Sequence, residues 1–393
     1  MTTPRILIAG ASIAGPATAF WLIRAGFEVT IIEQSPELRC GGNGVDIRSE
    51  ALTVIDRMGL TEDVRDRAMV NHGMRFLDRS GRQRVRFPTS EVENMVGSED
   101  IEITRGDLAH LLYAATESDV EYIFGDTVTE LNQDGAGVDV TFARTPGRRF
   151  DAVIGADGIH SKIRRAAFGS EDHYRVFKQH YYAVVSVDST VGEPFWTTFY
   201  NEPGRSVAIY CDESGHGLLT FTFHSPTPLS YDYRDITAQR HLVREAFAES
   251  GWHVPALLDA ADTADDFYFD ALDQISMPSW STGRIALVGD AAYCASPASG
   301  AGALLALTGA YRLAGELSRT DSPLDAFGRY ESAQRPLVAA KQNHLFTYIT
   351  VPRTRFGIAA RNIMLSSPIP RMLGRRSPHS TNNLPDYYSR PIK

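Results

Sequence analysis

The chain has 393 residues, of which 43% are hydrophobic and 22% charged, and its formal net charge is −9. This composition is that of a globular protein large enough for two domains, and an acidic balance without a long basic run argues against a nucleic-acid partner. Cys40, Cys211 and Cys294 follow no disulfide or metal-ligand spacing, so we expect no metal site and a reducing, cytoplasmic location.

Two apolar stretches, 6–32 and 291–317, resemble a signal peptide and a membrane span in hydropathy. Both are interrupted by glycine, proline or polar residues, and the first lacks a basic start and a small-residue cleavage site. We therefore expect both stretches to be buried parts of the fold, and we expect no membrane partner.

A βαβ unit opens the chain, with a strand, a helix and a second strand predicted over 5–9, 12–25 and 28–32. The first turn carries the pattern Gly10-x-Ser12-x-x-Gly15, and Glu33 ends the second strand. Gly10 permits the tight turn, Gly15 permits close packing, and the helix N-terminus can bind a pyrophosphate beside Ser12. Glu33 is placed to hold ribose hydroxyls. This context favours a dinucleotide site over a purely structural glycine turn.

Two later segments repeat the change from strand to turn to helix. A buried strand from Ala152 runs into Asp157-Gly158, with Arg164 on the helix that follows. A second strand from Arg284 runs into Gly289-Asp290 and then into a glycine-rich loop.

Together, these motifs resemble the class A flavoprotein monooxygenases, the family built on the para-hydroxybenzoate hydroxylase fold, over nearly the whole chain. Within that family, the motifs are most similar to those of actinobacterial polyketide-tailoring and tetracycline-inactivating flavoenzymes. The resemblance implies an α/β protein with a Rossmann-type FAD-binding domain, an inserted antiparallel-sheet substrate domain and a C-terminal helical segment.

The resemblance also implies roles by position. Asp290 would bind the ribityl chain of FAD, 300–304 would lie under the isoalloxazine, and Arg48 and Arg105 would flank the pyrophosphate and ribityl region. Asp157-Gly158 would border FAD and the place where the nicotinamide visits. The residues expected to bind FAD are Gly10, Ser12, Ile13, Ala14, Gly15, Glu33, Gln34, Arg48, Arg105, Asp157, Gly158, Gly289, Asp290, Pro297, Gly300, Ala301, Gly302, Ala303 and Leu304.

Simpler interpretations stay open for four of these residues. Asp290 is also a suitable helix N-cap, Asp157 a suitable turn former, and Arg48 and Arg105 suitable surface arginines. Two positions depart from the family pattern: Tyr293 stands where His is usual, and Ala301 stands where Gln is frequent, which removes a side chain expected near the flavin.

The middle of the chain alternates like an antiparallel sheet, with a helix after it. The hairpin, the four strands and the helix are predicted over 74–87, 179–188, 195–200, 207–211, 218–224 and 237–249. The many aromatic residues of these strands would line a pocket for a planar substrate or simply form the core. His180, His224 and Tyr210 are candidate substrate contacts, and no residue is assigned as a catalytic base.

The expected domains are an FAD-binding domain over 1–174 and 276–335, a substrate domain over 175–275 with the hairpin 74–97 nearby, and a C-terminal helix and tail over 336–393. The last helices are predicted over 323–351, with a break at Pro336, and over 355–365. Ile358, Ile363 and Met364 would form an apolar seam there, and 371–393 would be loosely held.

The expected activity is that of an NAD(P)H-dependent monooxygenase. As the resemblance implies, NADH or NADPH reduces FAD, O₂ forms a C4a-hydroperoxyflavin, and one oxygen atom hydroxylates or epoxidises an aromatic or polyketide-like molecule, in biosynthesis or antibiotic inactivation. Two alternatives are a flavin-dependent reductase or dehydrogenase on the same scaffold and a ligand-binding protein that has lost flavin chemistry. Both a monomer and a homodimer fit the sequence.

Overall fold

The computed structural model describes residues 3–38, 42–89, 100–343, 347–367 and 384–388, and for Tyr348 the backbone alone. Cys40, the end of the expected hairpin and most of 371–393 lie outside these ranges. Among the described residues, no helix combines the length and the apolarity needed to cross a membrane.

Twenty strands form five sheets within the described ranges. They are β1 Arg5–Ala9, β2 Glu28–Glu33, β3 Gly44–Ile47, β4 Gly73–Leu77, β5 Gln83–Pro88, β6 Ile101–Thr104, β7 Glu121–Phe124, β8 Val128–Gln133, β9 Val138–Phe142, β10 Arg148–Phe150, β11 Ala152–Gly155, β12 Arg175–Val176, β13 His180–Asp188, β14 Trp196–Glu202, β15 Arg205–Cys211, β16 His216–His224, β17 Tyr268–Ala271, β18 Gln274–Ile275, β19 Ser281–Thr282 and β20 Ile285–Leu287.

Twelve α-helices are described. They are α1 Ala14–Arg24, α2 Glu50–Met58, α3 Thr61–Asp66, α4 Arg105–Ala114, α5 Lys162–Phe168, α6 Ile236–Ala246, α7 Val254–Thr263, α8 Asp290–Tyr293, α9 Gly302–Leu317, α10 Pro323–Gln342, α11 Thr347–Thr350 and α12 Arg355–Ser366. Short 3₁₀ turns cover Glu171–His173 and Pro297–Ser299.

The first large sheet has the strand order β19-β20-β11-β1-β2-β7, and all its strands except β19 are parallel. Strand β1 lies near the middle, with Ile8 between Ile154 and Ile31. Because helices cover parallel strands on both faces, β1 and its neighbours are nearly continuous apolar runs. This is the Rossmann-type sheet that the βαβ pattern predicts.

Helix α9 is the centre of the helical layer on this sheet. It packs against α1, α2 and α10, and almost its whole length is buried. Helix α10 runs through Pro336 without a break, so the predicted interruption there is wrong. The Pro336 ring displaces one hydrogen bond, and flanking turns hold the helix together.

The second large sheet has the order β17-β13-β16-β15-β14-β4-β5. The hairpin β4–β5 joins this sheet directly, through a parallel pairing of β4 with β14, and does not merely lie nearby. Tyr181, Phe221 and Phe223 face α6 and α7 and form a core there. Tyr182 and Val184 face the opposite way, toward Ala298. Most of the sheet's aromatic residues are therefore core, and the face that carries Tyr182 is turned toward the loop before α9.

One C-terminal prediction is wrong, and a second fails for the five residues of its range that the structure describes. In α12, Ile363 and Met364 are exposed, and Arg361 and Leu365 face the sheet instead of the predicted apolar seam. The segment 384–388 is anchored rather than loosely held, because Tyr387 packs on Tyr311.

Contacts on three helices hold this segment, 384–388. The Tyr387 ring occupies the space beside Gly315, and its hydroxyl donates to Glu316 at 2.7 Å. Tyr388 stacks on Trp21 at 4.8 Å, and Arg57 donates to the carbonyl of Pro385 at 2.9 Å. The segment thus completes the core around α1 and α9.

Replacing Tyr387 with Ala should remove this ring and leave a void over Gly315. We expect a loss of about 3 kcal/mol in the free energy of unfolding, measured by urea or thermal denaturation of the FAD-loaded protein. Tyr388→Phe keeps the stack on Trp21 and is the control, with a change under about 0.5 kcal/mol. Equal stability of the Ala variant and the parent chain would show that the segment contributes nothing.

Candidate functional site

The turn from β1 into α1 is fixed by two glycines. A Cβ on Gly10, whose φ is +107°, would lie 2.4 Å from the carbonyl oxygen of Ala156, and one on Gly15 would lie 1.9 Å from that of Gly10. The N-cap of α1, Ile13, has no side chain able to accept a hydrogen bond, so the first N–H groups of the helix have no side-chain cap. The positive end of α1 is therefore available to an anion.

Glu33 lies beside this turn at the end of β2. Its carboxylate accepts hydrogen bonds from the backbone N–H of Ala11 and of Ser35, both at 2.9 Å. These bonds hold the carboxylate in place next to the turn. The position suits a ribose, whose hydroxyls would donate to the remaining lone pairs.

Arg105 connects the first turn to Asp290. As the first residue of α4, Arg105 donates from Nε to the hydroxyl of Ser12 at 3.2 Å. Burial raises the pKa of Asp290, and the nearby Arg105 charge offsets part of that rise. Asp290 keeps part of its surface accessible although protein atoms surround it, which indicates that it borders an interior space.

The N-terminus of α9 is the second helix end that opens on this space. Its N-cap, Ala301, supplies no side-chain hydrogen bond, and a Cβ on Gly302 would meet no atom within 4 Å. Gly289, with φ at +65°, brings α8 against α1, where its Cβ would lie 2.9 Å from that of Ala14. Two uncapped helix N-termini and the Asp290 carboxylate therefore lie on adjoining elements, and the region that they border is called the cleft below.

Arg48 holds the loop that leads into α9. Its guanidinium donates to the carbonyls of Gly300 and Ser299 and lies 3.7 Å from the Asp46 carboxylate. Its Nε is buried without a partner, and Gly300 has a φ of +58°. Arg48 thus fixes the loop by binding carbonyls.

A chain of hydrogen bonds runs from the second sheet to the surface. The hydroxyl of Tyr268 on β17 donates to Asp270 at 2.9 Å, and the ring of Tyr182 lies 5.7 Å from that of Tyr268. Asp270 bonds His160 Nε2 at 3.0 Å, and His160 Nδ1 bonds Glu171 at 3.1 Å. Burial raises the pKa of both tyrosines.

His160 is a cation within this chain of groups. Burial alone lowers its pKa, but the hydrogen bonds to Asp270 and Glu171 outweigh burial and raise the pKa to about 10. The hydrogen bond between His160 and Glu171 also lowers the pKa of Glu171, although burial by itself would raise that pKa. The sequence analysis missed Tyr268, Asp270 and His160 as site residues, because β17 and the turn after β11 are about 110 residues apart.

A family model described as an FAD binding domain matches residues 3–322 of the chain. The chain belongs to the class A FAD-dependent monooxygenases. It is 42% identical over 313 residues to an uncharacterised protein of Mycobacterium tuberculosis, covering 79% of this chain and 84% of that one. It is 36% identical over 341 residues to a flavin-dependent monooxygenase of Legionella longbeachae, covering 86% and 87%.

Among solved structures, the tetracycline destructase Tet(55) superposes on this monooxygenase with a TM-score of 0.81 and 33% identity, covering 98% and 99% of the two chains. FAD is therefore the cofactor of this enzyme. The cleft fits it, since uncapped helix ends suit the pyrophosphate and the acceptor edge of the ring, and carboxylates suit the hydroxyls. Within the described residues, no group of three or more His, Cys, Asp or Glu could hold a metal ion.

In this monooxygenase, the Asp157 carboxylate binds groups at the start of α5. Its carboxylate accepts from Ser161 Oγ and from the N–H groups of Lys162 and Ile163, at 2.7 and 3.1 Å for the last two. A Cβ on the neighbouring Gly158 would meet no atom within 4 Å. The open backbone at Gly158, rather than the Asp157 carboxylate, faces free space.

Arg164 ties the Asp157-Gly158 turn to α8. Its fully buried guanidinium donates to the carbonyl of Ala291 at 2.9 Å, to that of Ile159, and to Glu171 at 2.8 Å. The two segments that the sequence analysis associated with FAD are thus held together by one side chain.

The two departures from the family pattern have structural explanations. Tyr293 points into the core, where its hydroxyl accepts from Tyr330 at 3.0 Å and a Cβ on Gly309 would lie 2.0 Å from it. Gly309 therefore makes room for Tyr293. The methyl group of Ala301 is fully buried, and the open position is Gly302. The expected loss of a side chain near the ring falls on a residue that does not face the cleft.

The candidate substrate contacts occupy different surroundings. His180 Nδ1 donates to the carbonyl of Lys178 at 2.9 Å, and burial lowers the pKa of His180 and of His224. Their rings lie 5.3 Å apart, and both Nε2 atoms are shielded and have no partner. Tyr210 donates to the carbonyl of Val70 at 2.8 Å. The free Nε2 atoms of the two histidines do not reach open space in this conformation, whereas the Tyr210 hydroxyl is exposed.

Removing the Asp290 carboxylate should weaken FAD binding. Asp290→Ala deletes an acceptor for ribityl hydroxyls, so we expect a loss of about 1.5 to 3 kcal/mol, or roughly 10- to 150-fold in the dissociation constant, measured by flavin fluorescence. Asp265→Ala, at an exposed carboxylate on a loop, is the control. Unchanged FAD affinity of the Asp290 variant would place the ribityl chain elsewhere.

The ion pairs of His160 make stability depend on pH in a defined window. The pKa of His160 is about 10 in the folded state and near 6.5 in the unfolded state. The stabilisation of the fold by these ion pairs is therefore complete below pH 6.5 and is lost as the pH rises toward 10. His160→Gln should flatten the fall in melting temperature across that window. A parallel fall in the variant and the parent would contradict the assignment.

Proposed function

We propose that this monooxygenase uses NADH or NADPH to hydroxylate or epoxidise an aromatic or polyketide-like small molecule. The observation that supports the proposal best is the pair of uncapped helix N-termini beside Asp290, with Tyr182 and Val184 of the seven-stranded sheet packed on Ala298 just before the start of α9. Bound FAD, once reduced by the nicotinamide, supplies the activation of O₂ from which one oxygen atom passes to the substrate.

We assign the holding of FAD to four parts of the chain. The N-terminus of α1 would bind the pyrophosphate, with Ser12 and Arg105 beside it, and Glu33 would bind the ribose. Asp290 would accept from the ribityl hydroxyls. The backbone N–H groups at 302–304 would meet the acceptor edge of the ring, where the positive end of α9 favours negative charge. Gln34 and Pro297 are exposed at the rim of this cleft.

The second sheet would form the roof over the reacting atoms. Tyr182 and Val184, buried beside Ala298, would exclude water from the reacting atoms. The hydrogen-bonded chain from Tyr268 through Asp270 to His160 would carry a proton between the roof and the surface. Tyr268 is the end of this chain on the roof, and it donates directly to Asp270.

The similar structures and the tyrosine rings of the roof both support a polycyclic, polyketide-like substrate. Two similar structures, at 31% and 33% identity, are tetracycline destructases. Tetracyclines are planar polycyclic polyketides, and a roof with tyrosine rings suits such a shape. His180, His224 and Tyr210 remain proposed substrate contacts, and the two histidines would need a local rearrangement to expose their free Nε2 atoms.

Domain limits, location and assembly complete the proposal. Residues 1–174 and 276–335 would form the FAD-binding domain, 175–275 with β4–β5 the substrate domain, and 336–393 the C-terminal segment. The location would be the cytoplasm and the protein a monomer or a homodimer.

The activity test is oxidation of NADH and NADPH by the FAD-loaded enzyme under ¹⁸O₂, with tetracycline and other polycyclic phenols as candidates. We expect a candidate to accelerate nicotinamide oxidation and to gain one ¹⁸O atom. Tyr268→Phe should lower the yield of oxygenated product per nicotinamide by about tenfold or more, because the proton path is cut. Tyr233→Phe, at an exposed ring stacked on His160, is the control.

Two outcomes would support the alternatives. Nicotinamide oxidation that reduces the candidate without ¹⁸O uptake would indicate a reductase or dehydrogenase. A chain that binds the candidate but neither retains nor takes up FAD would indicate a ligand-binding protein.

A further inference from the structure

Helix α12 displays an apolar stripe to solvent. Phe356 is 82% exposed and Ile363 is 72% exposed, the two highest values among large apolar side chains in the described ranges, and Met364 is 40% exposed. Phe356 and Ile363 are seven residues apart, which places them two turns apart on one face of a helix. The exposed Ala359 and Ala360 lie between them, so the stripe is continuous.

The opposite face of α12 is fixed to the protein. Arg361 donates to the side-chain oxygen of Asn201 at 3.0 Å and to the carbonyl of Ile349 at 2.8 Å, and its guanidinium lies 4.0 Å from the centre of the Phe76 ring. Leu365 packs into the same cluster as Phe76. The helix cannot rotate to bury its stripe without breaking these contacts.

The charge around the stripe differs from that of the rest of the chain. Residues 347–367, which contain α11 and α12, carry Arg353, Arg355 and Arg361 and no acidic residue, whereas the whole chain has 39 basic and 48 acidic residues. Arg353 and Arg355 are exposed directly beside Phe356. An apolar stripe on a segment that carries arginines and no acidic residue of its own matches the charge of an anionic surface that also accepts apolar groups.

We propose that α12 docks this enzyme on an anionic lipid bilayer, with Phe356, Ile363 and Met364 entering the headgroup boundary and Arg353 and Arg355 meeting the lipid charges. A second copy of the chain is the less suitable occupant. The other exposed large apolar side chains in the described ranges, Val70, Val176, Tyr233, Ile236 and Leu324, are scattered over four parts of the chain. They form no second stripe, so a second copy could pair only α12 with α12, and three large apolar side chains a side fall short of the roughly 20 to 30 residues a side of a stable dimer interface.

The test uses the FAD-loaded full chain and vesicles of phosphatidylcholine, alone or with about one third phosphatidylglycerol, separated by sedimentation. We expect the bound fraction to rise about tenfold or more with phosphatidylglycerol and to fall at high salt, since screening weakens the arginine contacts. No binding to either vesicle, or equal binding to both, would overturn the proposal.

Variants separate the stripe from general charge attraction. The double variant Phe356→Ser/Ile363→Ser should bind vesicles about tenfold or more weakly than the parent. Leu324→Ser, at an exposed position of α10, should bind like the parent. Flavin content and melting temperature check that each variant is folded. Should the double variant not fold, Arg353→Gln/Arg355→Gln replaces it and should lose the preference for phosphatidylglycerol. Vesicle binding by the Phe356→Ser/Ile363→Ser variant equal to that of the parent would refute the proposal. A parent chain that forms a concentration-dependent dimer, which the same variant does not form, would refute it as well.

Discussion

The packing of α1 against α9 is the contact on which the site depends. Gly289 allows the two helices and α8 to come together, and both helix N-termini then open on one cleft without a side-chain cap. Backbone N–H groups left in this way are costly to bury, so a ligand rich in acceptors stabilises the arrangement. The surrounding elements position the charged groups of Glu33, Arg105 and Asp290 around that cleft.

The parts of this site that sequence could predict are local ones. Gly10, Gly15 and Gly289 are required by backbone turns and close approaches within a few residues of a strand end, so their pattern shows in a short stretch. Glu33 follows from the length of one βαβ unit. The centre of the parallel sheet was predictable for the same reason, because β1, β11 and β20 are apolar runs that each lead into a helix.

The parts that sequence could not predict join distant residues. The bond between His160 and Asp270 and the parallel pairing of β4 with β14 both link segments more than 100 residues apart, and no local pattern records such a partner. In α12, apolar residues occur around the whole helix, so periodicity alone could not select the inward face. The buried Arg361, which fixes that face, has the sequence appearance of a surface residue.

The anchoring of 384–388 affects how the protein is made. During synthesis, the strands and helices around α1 leave the ribosome first. Tyr387 and Tyr388, whose rings contact Tyr311 and Trp21, are translated more than 70 residues after the start of α9. At roughly 5 to 20 residues per second, that interval is several seconds. The dinucleotide unit therefore passes through a stage with uncovered aromatic surface, at which a chaperone or early FAD binding would have the greatest effect on yield.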